Sequence, residues 1–146
     1  MIVGVYGHSN SGKTQLIEQM LDYLKSKGKT VAIIKHTLGK FSMDTEGKDT
    51  QRYIAHGADL STFCTAKETT FVIPKVLSFE KVYEITTAIN SFDVVIIEGW
   101  KELPGAKIAV GDIPELPETV LRYQGDFAPV KRYLDHEFEL RDTSAA

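Results

Sequence analysis

The chain has 146 residues, with a hydrophobic fraction of 42% and a charged fraction of 25%, which are ordinary values for a globular domain. A net charge of -3 at pH 7 gives no electrostatic footprint for general binding to nucleic acid. No apolar run reaches the length of about 18 residues that a membrane span needs. With Cys64 as the only cysteine, no internal disulfide can form, and we expect a reducing, cytoplasmic location.

The N-terminal part has the pattern of a βαβ unit. Residues 1–6 form a short β-type run that stops at Gly7, and residues 30–35 (TVAIIK) predict a second strand. Between them lies a stretch with helical spacing, which Gly28 is expected to end. The apolar residues that share one face of this helix are Leu16, Ile17, Met20, Leu21 and Leu24. Strand, helix and strand in about 35 residues predict a parallel pair of strands with a right-handed crossover.

The remaining elements follow in order. Predicted are a loop at 38–48, a short helix at 49–56, β-type runs at 59–65 and 69–73, a helix from Phe79 to Ile89 capped by Ser78, strands at 93–98 and 107–110, and a helix at 130–136. The strand at 93–98 (DVVIIE) is the most apolar and is expected to be central. Cys64 lies within a predicted strand, so we expect it to be buried packing rather than a nucleophile. We predict a single domain over residues 1–146 with a P-loop NTPase-type three-layer α/β/α fold and a mostly parallel central sheet.

Residues 7–14 (GHSNSGKT) match the phosphate-binding pattern G-x-x-x-x-G-K-[ST]. A loop of this kind turns back on itself so that successive backbone N–H groups point at phosphate oxygens, and glycine at 7 and 12 permits the close approach. Lys13 places a charge on the β- and γ-phosphates, and Thr14 offers its hydroxyl to Mg²⁺. The pattern lies between an apolar strand and an amphipathic helix, which is the context that the chemistry requires. We therefore interpret it as a triphosphate site rather than a glycine- and serine-rich turn.

The predicted nucleotide-binding residues in and beside this loop are Gly7, Asn10, Ser11, Gly12, Lys13, Thr14 and Gln15. Lys13 is also predicted to act in catalysis, because its charge can stabilise negative charge that develops on the γ-phosphate.

Further candidates lie where other strands end, since ligands of open parallel sheets bind beyond the carboxyl ends of the strands. Lys35 and His36 end one predicted strand and Glu98 ends another. Asp93 starts the same strand as Glu98 and is about 17 Å from it at the rise of an extended chain. Only Glu98 can therefore face the phosphates, and we predict it as a metal ligand and catalytic carboxylate. We predict Lys35 and His36 as nucleotide contacts, although a structural, hydrogen-bonded role for His36 is equally compatible with the sequence.

The polar loop after the second strand carries three more candidates. Asp44 is a candidate metal ligand, and Asp49 and Arg52 are candidate nucleotide contacts. The loop could close over the γ-phosphate as a switch, or be only a solvated connection. Asp49 could equally be no more than a helix N-cap.

Two patterns of other nucleotide-binding classes are missing. No Asn-Lys-x-Asp or Thr-Lys-x-Asp segment occurs, so the base-reading element of typical GTPases is absent and the residues themselves do not choose guanine over adenine. The arginines at 52, 122, 132 and 141 are scattered, which disfavours the cationic lid of a metabolite kinase.

Taken together, these segments resemble the molybdopterin-guanine dinucleotide biosynthesis adaptor family, MobB. The likeness runs from the N-terminus to about residue 101, which is roughly two thirds of the chain. It rests on GHSNSGKT at 7–14, IIKH at 33–36, Asp44, GKDTQRYIAHGA at 47–58 and VVIIEGWK at 94–101. The phosphate loop alone is common to many families, whereas the later segments in this order are much more specific.

The resemblance implies a dimeric GTP-binding protein with weak GTPase activity. Such proteins assist MobA, the guanylyltransferase that joins GMP to molybdopterin, so the implied partners are GTP, MobA, molybdopterin or its guanine dinucleotide form, and a second copy of the chain. Phosphates are implied on residues 10–14 and Mg²⁺ near Thr14 and Glu98.

Two other functions are compatible with the residues. One is a small-molecule kinase that uses the same loop to pass a phosphoryl group to an acceptor. The other is a binding module in which a nucleotide organises a partner surface without being hydrolysed.

Overall fold

The computed structural model describes residues 1–39, 42–43 and 48–144. In chain order its elements are β1 (Ile2–Gly7), α1 (Lys13–Ser26), β2 (Val31–Lys35), α2 (Asp49–Ala55), β3 (Ser61–Cys64), β4 (Thr69–Val72), α3 (Phe79–Ile89), β5 (Val94–Glu98), β6 (Lys107–Val110), β7 (Thr119–Tyr123) and α4 (Ala128–Ser144). The chain divides into two compact units, one of residues 1–37 and 87–146 and the other of residues 38–86. The expectation of a single domain stays a prediction.

The first unit is built on a five-stranded sheet in the order β2-β5-β1-β6-β7. Every neighbouring pair of strands is parallel. The predicted fold class, a three-layer α/β protein with a mostly parallel central sheet, is therefore confirmed. β1 and β2 are parallel as predicted, but β5 lies between them, so that β1 occupies the middle of the sheet and β5 is its neighbour. All five residues of β5 are buried, as its continuous apolar run predicts.

The main core lies between one face of this sheet and the helices α1 and α4. The apolar stripe of α1 is buried there, at Leu16, Ile17, Met20 and Leu24. It shares a cluster with Val3 and Val5 of β1 and with Val130 and Leu134 of α4. Truncating one of the buried leucines or Met20 to alanine should lower the free energy of unfolding by about 2 to 5 kcal/mol. The packing holds the start of α1 against the end of β1.

The second unit contains a two-stranded antiparallel sheet of β3 and β4, together with α2 and the start of α3. Its strands and helix were expected, with small shifts of their ends. The backbone N–H of Lys81 donates to the hydroxyl of Ser78 over 3.3 Å, in agreement with the predicted cap of α3. The predicted burial of Cys64 is wrong, since this residue is exposed. Cys64 is the last residue of β3. Of the four residues in this strand, only Ser61 is buried.

Two further differences concern the C-terminal part. β7 (Thr119–Tyr123) was not expected, because Pro114, Pro117 and Gly125 around it suggested irregular structure. α4 runs over Ala128–Ser144, well beyond the predicted residues 130–136.

Within the described part of the chain, none of the helices combines the length and the apolar character that crossing a membrane requires.

Candidate nucleotide-binding site

The phosphate-loop segment forms the connection between β1 and α1. β1 ends at Gly7, and α1 begins at Lys13 with Gly12 as its N-cap. Asn10 and Gly12 have positive φ angles of 59° and 99°, which turn the backbone back towards the end of the strand. No side chain caps α1 and no acid lies in its first turn. The N-terminal end of this helix therefore faces the loop with its positive dipole and without a competing carboxylate.

Lys13 folds back over the loop. Its ammonium group donates to the carbonyl oxygen of His8 over 2.6 Å and to that of Gly7 over 3.2 Å. The charge is thus held at the loop by two neutral acceptors, which leaves it available to an anion. Asn10, Thr14 and Gln15 are exposed, and Ser11 is partly buried.

The loop is seated on the end of β6, which is the predicted strand at 107–110, but the sequence did not indicate this contact. A Cβ on Gly7 would lie 2.6 Å from both the Ser11 hydroxyl oxygen and the Val110 carbonyl oxygen, so only glycine fits at this position. The Ser11 hydroxyl is buried and has no hydrogen-bond partner among the described residues. The chain after Val110 is held by Arg122, whose guanidinium donates to the carbonyl oxygens of Gly111 and Ile113. Because β7 was not predicted, this support for the loop could not be anticipated.

On the other side of β1, the end of β5 carries Glu98. In the parallel register Glu98 lies beside Val5, two residues before Gly7, and beside Lys35 of β2. The Lys35 ammonium is 3.3 Å from Oε2 of Glu98, and the exposed fractions of the two side chains are 59% and 10%. The cation offsets part of the cost of removing the carboxylate from water. Lys35 and Glu98 are thus brought together at the carboxyl edge, as the strand pattern predicts.

His36 follows Lys35 and joins the same edge. Its backbone N–H donates to the Glu98 carbonyl oxygen over 2.8 Å. Its imidazole stacks on the indole of Trp100, with 4.6 Å between ring centroids and 17° between ring planes. The stack was not predicted, because it joins residues that are distant in sequence and follows no periodic pattern.

The remaining candidates belong to the second unit or fall outside the described residues. Asp49 starts α2, and Arg52 lies one turn later with Nη1 3.8 Å from an Asp49 carboxylate oxygen. Both are exposed and belong to the second unit, so their contact with nucleotide stays a prediction. Asp44 falls outside the described residues, and its predicted metal role stays a prediction. Over residues 1–39, 42–43 and 48–144, no group of three or more His, Cys, Asp or Glu side chains could hold a metal ion by itself.

Asp93 has a structural role at the opposite edge of the sheet. Its carboxylate accepts hydrogen bonds from the backbone N–H of Thr30 over 2.7 Å and from the Thr30 hydroxyl over 2.8 Å. These bonds hold the pKa of Asp93 below its ordinary value, and the bond from the backbone N–H has the largest effect. Asp93 thereby ties β5 to the residue before β2, which agrees with the expectation that only Glu98 faces the phosphate loop.

The sequence is similar to those of curated proteins. A protein of Methanocaldococcus jannaschii, named provisionally as a molybdopterin-guanine dinucleotide biosynthesis adapter protein, is 38% identical over 101 residues, which are 69% of this chain and 41% of the relative. A Bacillus subtilis protein with a similarly provisional adapter name is 33% identical over 111 residues, covering 75% of this chain and 64% of the relative. The chain thus spans less than two thirds of the length of these two curated relatives.

The fold has a matching solved structure. The crystal structure of Bacillus subtilis MobB superposes with a TM-score of 0.73 at 25% identity and covers 92% of this chain and 96% of that chain. The family model described as molybdopterin guanine dinucleotide synthesis protein B matches residues 2–123, which include the phosphate loop and the ends of β2, β5 and β6. The chain therefore belongs to the MobB family.

Proposed function

We propose that this protein is a GTP-binding adaptor that assists the attachment of GMP to molybdopterin and hydrolyses GTP slowly in the presence of Mg²⁺. The observation that carries the proposal is the seating of the phosphate-loop segment. The loop of residues 7–14 joins the middle strand of a parallel sheet to α1, and Glu98 ends the neighbouring strand. The names of the curated relatives, which refer to molybdopterin-guanine dinucleotide biosynthesis, supply the pathway.

In this proposal the loop amides and Lys13 bind the β- and γ-phosphates. The Lys13 ammonium moves from the carbonyl oxygens of Gly7 and His8 to phosphate oxygens, exchanging neutral acceptors for charged ones, and charge-assisted hydrogen bonds are the stronger kind. Lys13 and the N-terminal end of α1 then stabilise the negative charge that grows on the γ-phosphate during hydrolysis. A water molecule is the acceptor, and GDP and phosphate are the products.

The residues present fit a Mg²⁺ ion. This ion prefers hard oxygen ligands, keeps several waters and takes only one or two protein groups beside the phosphates. The Thr14 hydroxyl at the start of α1 and the Glu98 carboxylate at the end of β5 are oxygen donors of this kind. When bound, the ion neutralises charge on the phosphates. Lys35, which pairs with Glu98, is mostly exposed and so can turn towards the phosphates when the carboxylate is engaged.

We further propose that the protein forms a homodimer, with the β3–β4 hairpin in the interface. Cross-strand pairs share a face, and the pairs are Thr62 with Phe71 and Phe63 with Thr70, so the two phenylalanines lie on opposite faces. Each is about half exposed, at 51% for Phe63 and 54% for Phe71. Large apolar side chains exposed on both faces of one hairpin support an interface.

Light scattering after size-exclusion chromatography tests the dimer. The mass of the parent should be twice that of one chain, and Phe63→Glu should reduce it to one chain. Lys67→Glu, an exposed change in the turn of the same hairpin, serves as the control and should stay dimeric. A monomeric parent would refute the dimer without affecting the phosphate site.

Competition binding tests the proposed function. A fluorescent GTP analogue is bound in the presence of Mg²⁺ and displaced with GTP or ATP, with and without molybdopterin, and binding of purified MobA is followed in parallel. The proposal predicts that GTP displaces the probe at lower concentration than ATP and that the protein associates with MobA. Equal displacement by ATP together with no association with MobA would contradict it. Phosphate transfer to an added small-molecule acceptor, in place of phosphate release, would instead indicate a kinase.

A further inference from the structure

The chain makes an unusual turn directly after Glu98. Gly99 and Trp100 both have positive φ angles, of 85° and 49°. Glycine adopts this conformation readily, but a side chain as large as tryptophan does so only when its surroundings compensate for the strain. The turn begins at the residue after Glu98. The contacts that stabilise the turn therefore also set the position of the Glu98 side chain.

The compensating contacts come from His36 at the end of β2. A Cβ on Gly99 would lie 2.4 Å from the His36 carbonyl oxygen, which shows how closely the two backbones approach. The Trp100 and His36 rings also stack almost in parallel, with 4.6 Å between centroids. The hydrogen bond from the His36 N–H to the Glu98 carbonyl oxygen completes the connection. His36 and the turn at 98–100 are thus joined by backbone and ring contacts together.

The Glu98 side chain itself is paired with Lys35. It is 10% exposed, and its carboxylate lies 3.3 Å from the Lys35 ammonium, whereas Lys35 is more than half exposed. A long, exposed lysine is a flexible partner that cannot fix a carboxylate by itself. The more rigid restraint on Glu98 is therefore its own backbone, which the ring stack holds.

We propose that Trp100 is a positioning residue for Glu98, in that its stack on His36 holds the turn in the conformation that presents the carboxylate to Mg²⁺. Trp100 does not contact the ion or the phosphates in this assignment and acts only through Glu98. The inference rests on the proposed function, in which Glu98 is a ligand of the metal that accompanies GTP. It predicts an effect on metal dependence that a general loss of stability would not produce.

The test compares Trp100→Ala, Trp100→Leu and Trp100→Phe with the parent. Binding of a fluorescent GTP analogue is measured over a range of Mg²⁺ concentrations and in EDTA, and circular dichroism checks that each variant is folded. Trp100→Ala should raise the Mg²⁺ concentration for half-maximal binding about tenfold, the usual effect of losing a group that orients a metal ligand. Affinity in EDTA should be unchanged. Trp100→Phe, which keeps an aromatic ring for the stack, should remain close to the parent.

Trp100→Leu keeps apolar bulk without a ring and carries the test if the alanine variant does not fold, and the same tenfold shift is then expected. An unchanged Mg²⁺ requirement in the folded, ring-free variant would overturn the inference, as would an equal loss of affinity in Mg²⁺ and in EDTA. In either case the proposed function stands, because the parent still binds nucleotide with Mg²⁺. If the parent itself binds no triphosphate, the proposed function fails and this inference fails with it.

Discussion

The ammonium group of Lys35 lies 3.3 Å from a carboxylate oxygen of Glu98, across the carboxyl ends of β2 and β5. The pair places a cation and an anion together one strand away from the phosphate loop. The carboxylate is buried and the ammonium exposed, so the lysine can leave more easily than the glutamate. In the proposed function, this asymmetry would let the metal ion engage the carboxylate while the lysine turns to the phosphates.

The first prediction concerns Glu98 as a metal ligand. Glu98→Gln keeps the size of the side chain and removes its charge, and it should raise the Mg²⁺ concentration for half-maximal GTP binding at least about tenfold. Isothermal titration at several Mg²⁺ concentrations measures the effect. Glu102→Gln, an exposed change in the following turn, is the matched control. If metal dependence is the same in both variants, Glu98 is not part of the site.

The second prediction concerns Lys13. Lys13→Ala should weaken the binding of GTP with Mg²⁺ at least about 30-fold, because a charged partner of the phosphates is removed. The fold should survive, since Lys13 is partly exposed and, among the residues that the structure describes, donates only to the carbonyl oxygens of Gly7 and His8. Titration calorimetry and circular dichroism measure the two properties. Lys25→Ala on the same helix should leave affinity unchanged, and an equally small effect of both variants would be incompatible with the assigned site.

The third prediction concerns the close approach at Gly99. Gly99→Ala should lower the free energy of unfolding by at least about 2 kcal/mol, since it combines a positive φ with a collision against a carbonyl oxygen. Gly105→Ala is the control, because Gly105 also has positive φ but a Cβ there meets nothing within 4 Å. That change should cost only about 1 kcal/mol. Urea unfolding gives both values, and equal costs would mean that the contact with His36 does not constrain the turn.

The fourth prediction concerns pH and the opposite edge of the sheet. The pKa of Asp93 is held below its ordinary value of 3.8 by the hydrogen bonds from Thr30. Because the folded-state pKa is the lower one, the ionised carboxylate stabilises the fold above about pH 4, and this contribution is lost as the pH falls further. Asp93→Asn should flatten the decline of the unfolding free energy below that pH, whereas Asp22→Asn, at an exposed position of α1, should not. An equally steep decline in Asp93→Asn would show that the Thr30 bonds do not persist in solution.

Local pattern predicted those parts of the fold that depend on one segment at a time. The stripe at Leu16, Ile17, Met20 and Leu24 and the apolar run of β5 each face the core as their periodicity indicates. β7 was missed because it is a short strand bounded by proline and glycine, and its pairing with β6 rather than its composition makes it a strand. The burial of Cys64 was misjudged for a related reason. A strand pattern does not reveal whether another layer covers the strand.

The candidate site divides in the same way. Residues 7–14 form a continuous segment that matches a known pattern, so its place between a strand and a helix could be predicted from sequence. That the segment binds phosphate stays a prediction. Lys35 and Glu98 could be placed together because parallel strands end at the same edge. The stack of His36 on Trp100 and the support of the loop by Val110 and Arg122 are tertiary contacts. No spacing rule encodes them.

A crystal structure of the protein with Mg²⁺ and a non-hydrolysable GTP analogue would show whether residues 7–14 bind the triphosphate. We expect density for the β- and γ-phosphates within hydrogen-bond distance of the backbone N–H groups of residues 10–14, with the Lys13 ammonium turned from the His8 carbonyl oxygen to the phosphates. Density for the triphosphate at any other part of the molecule would contradict it.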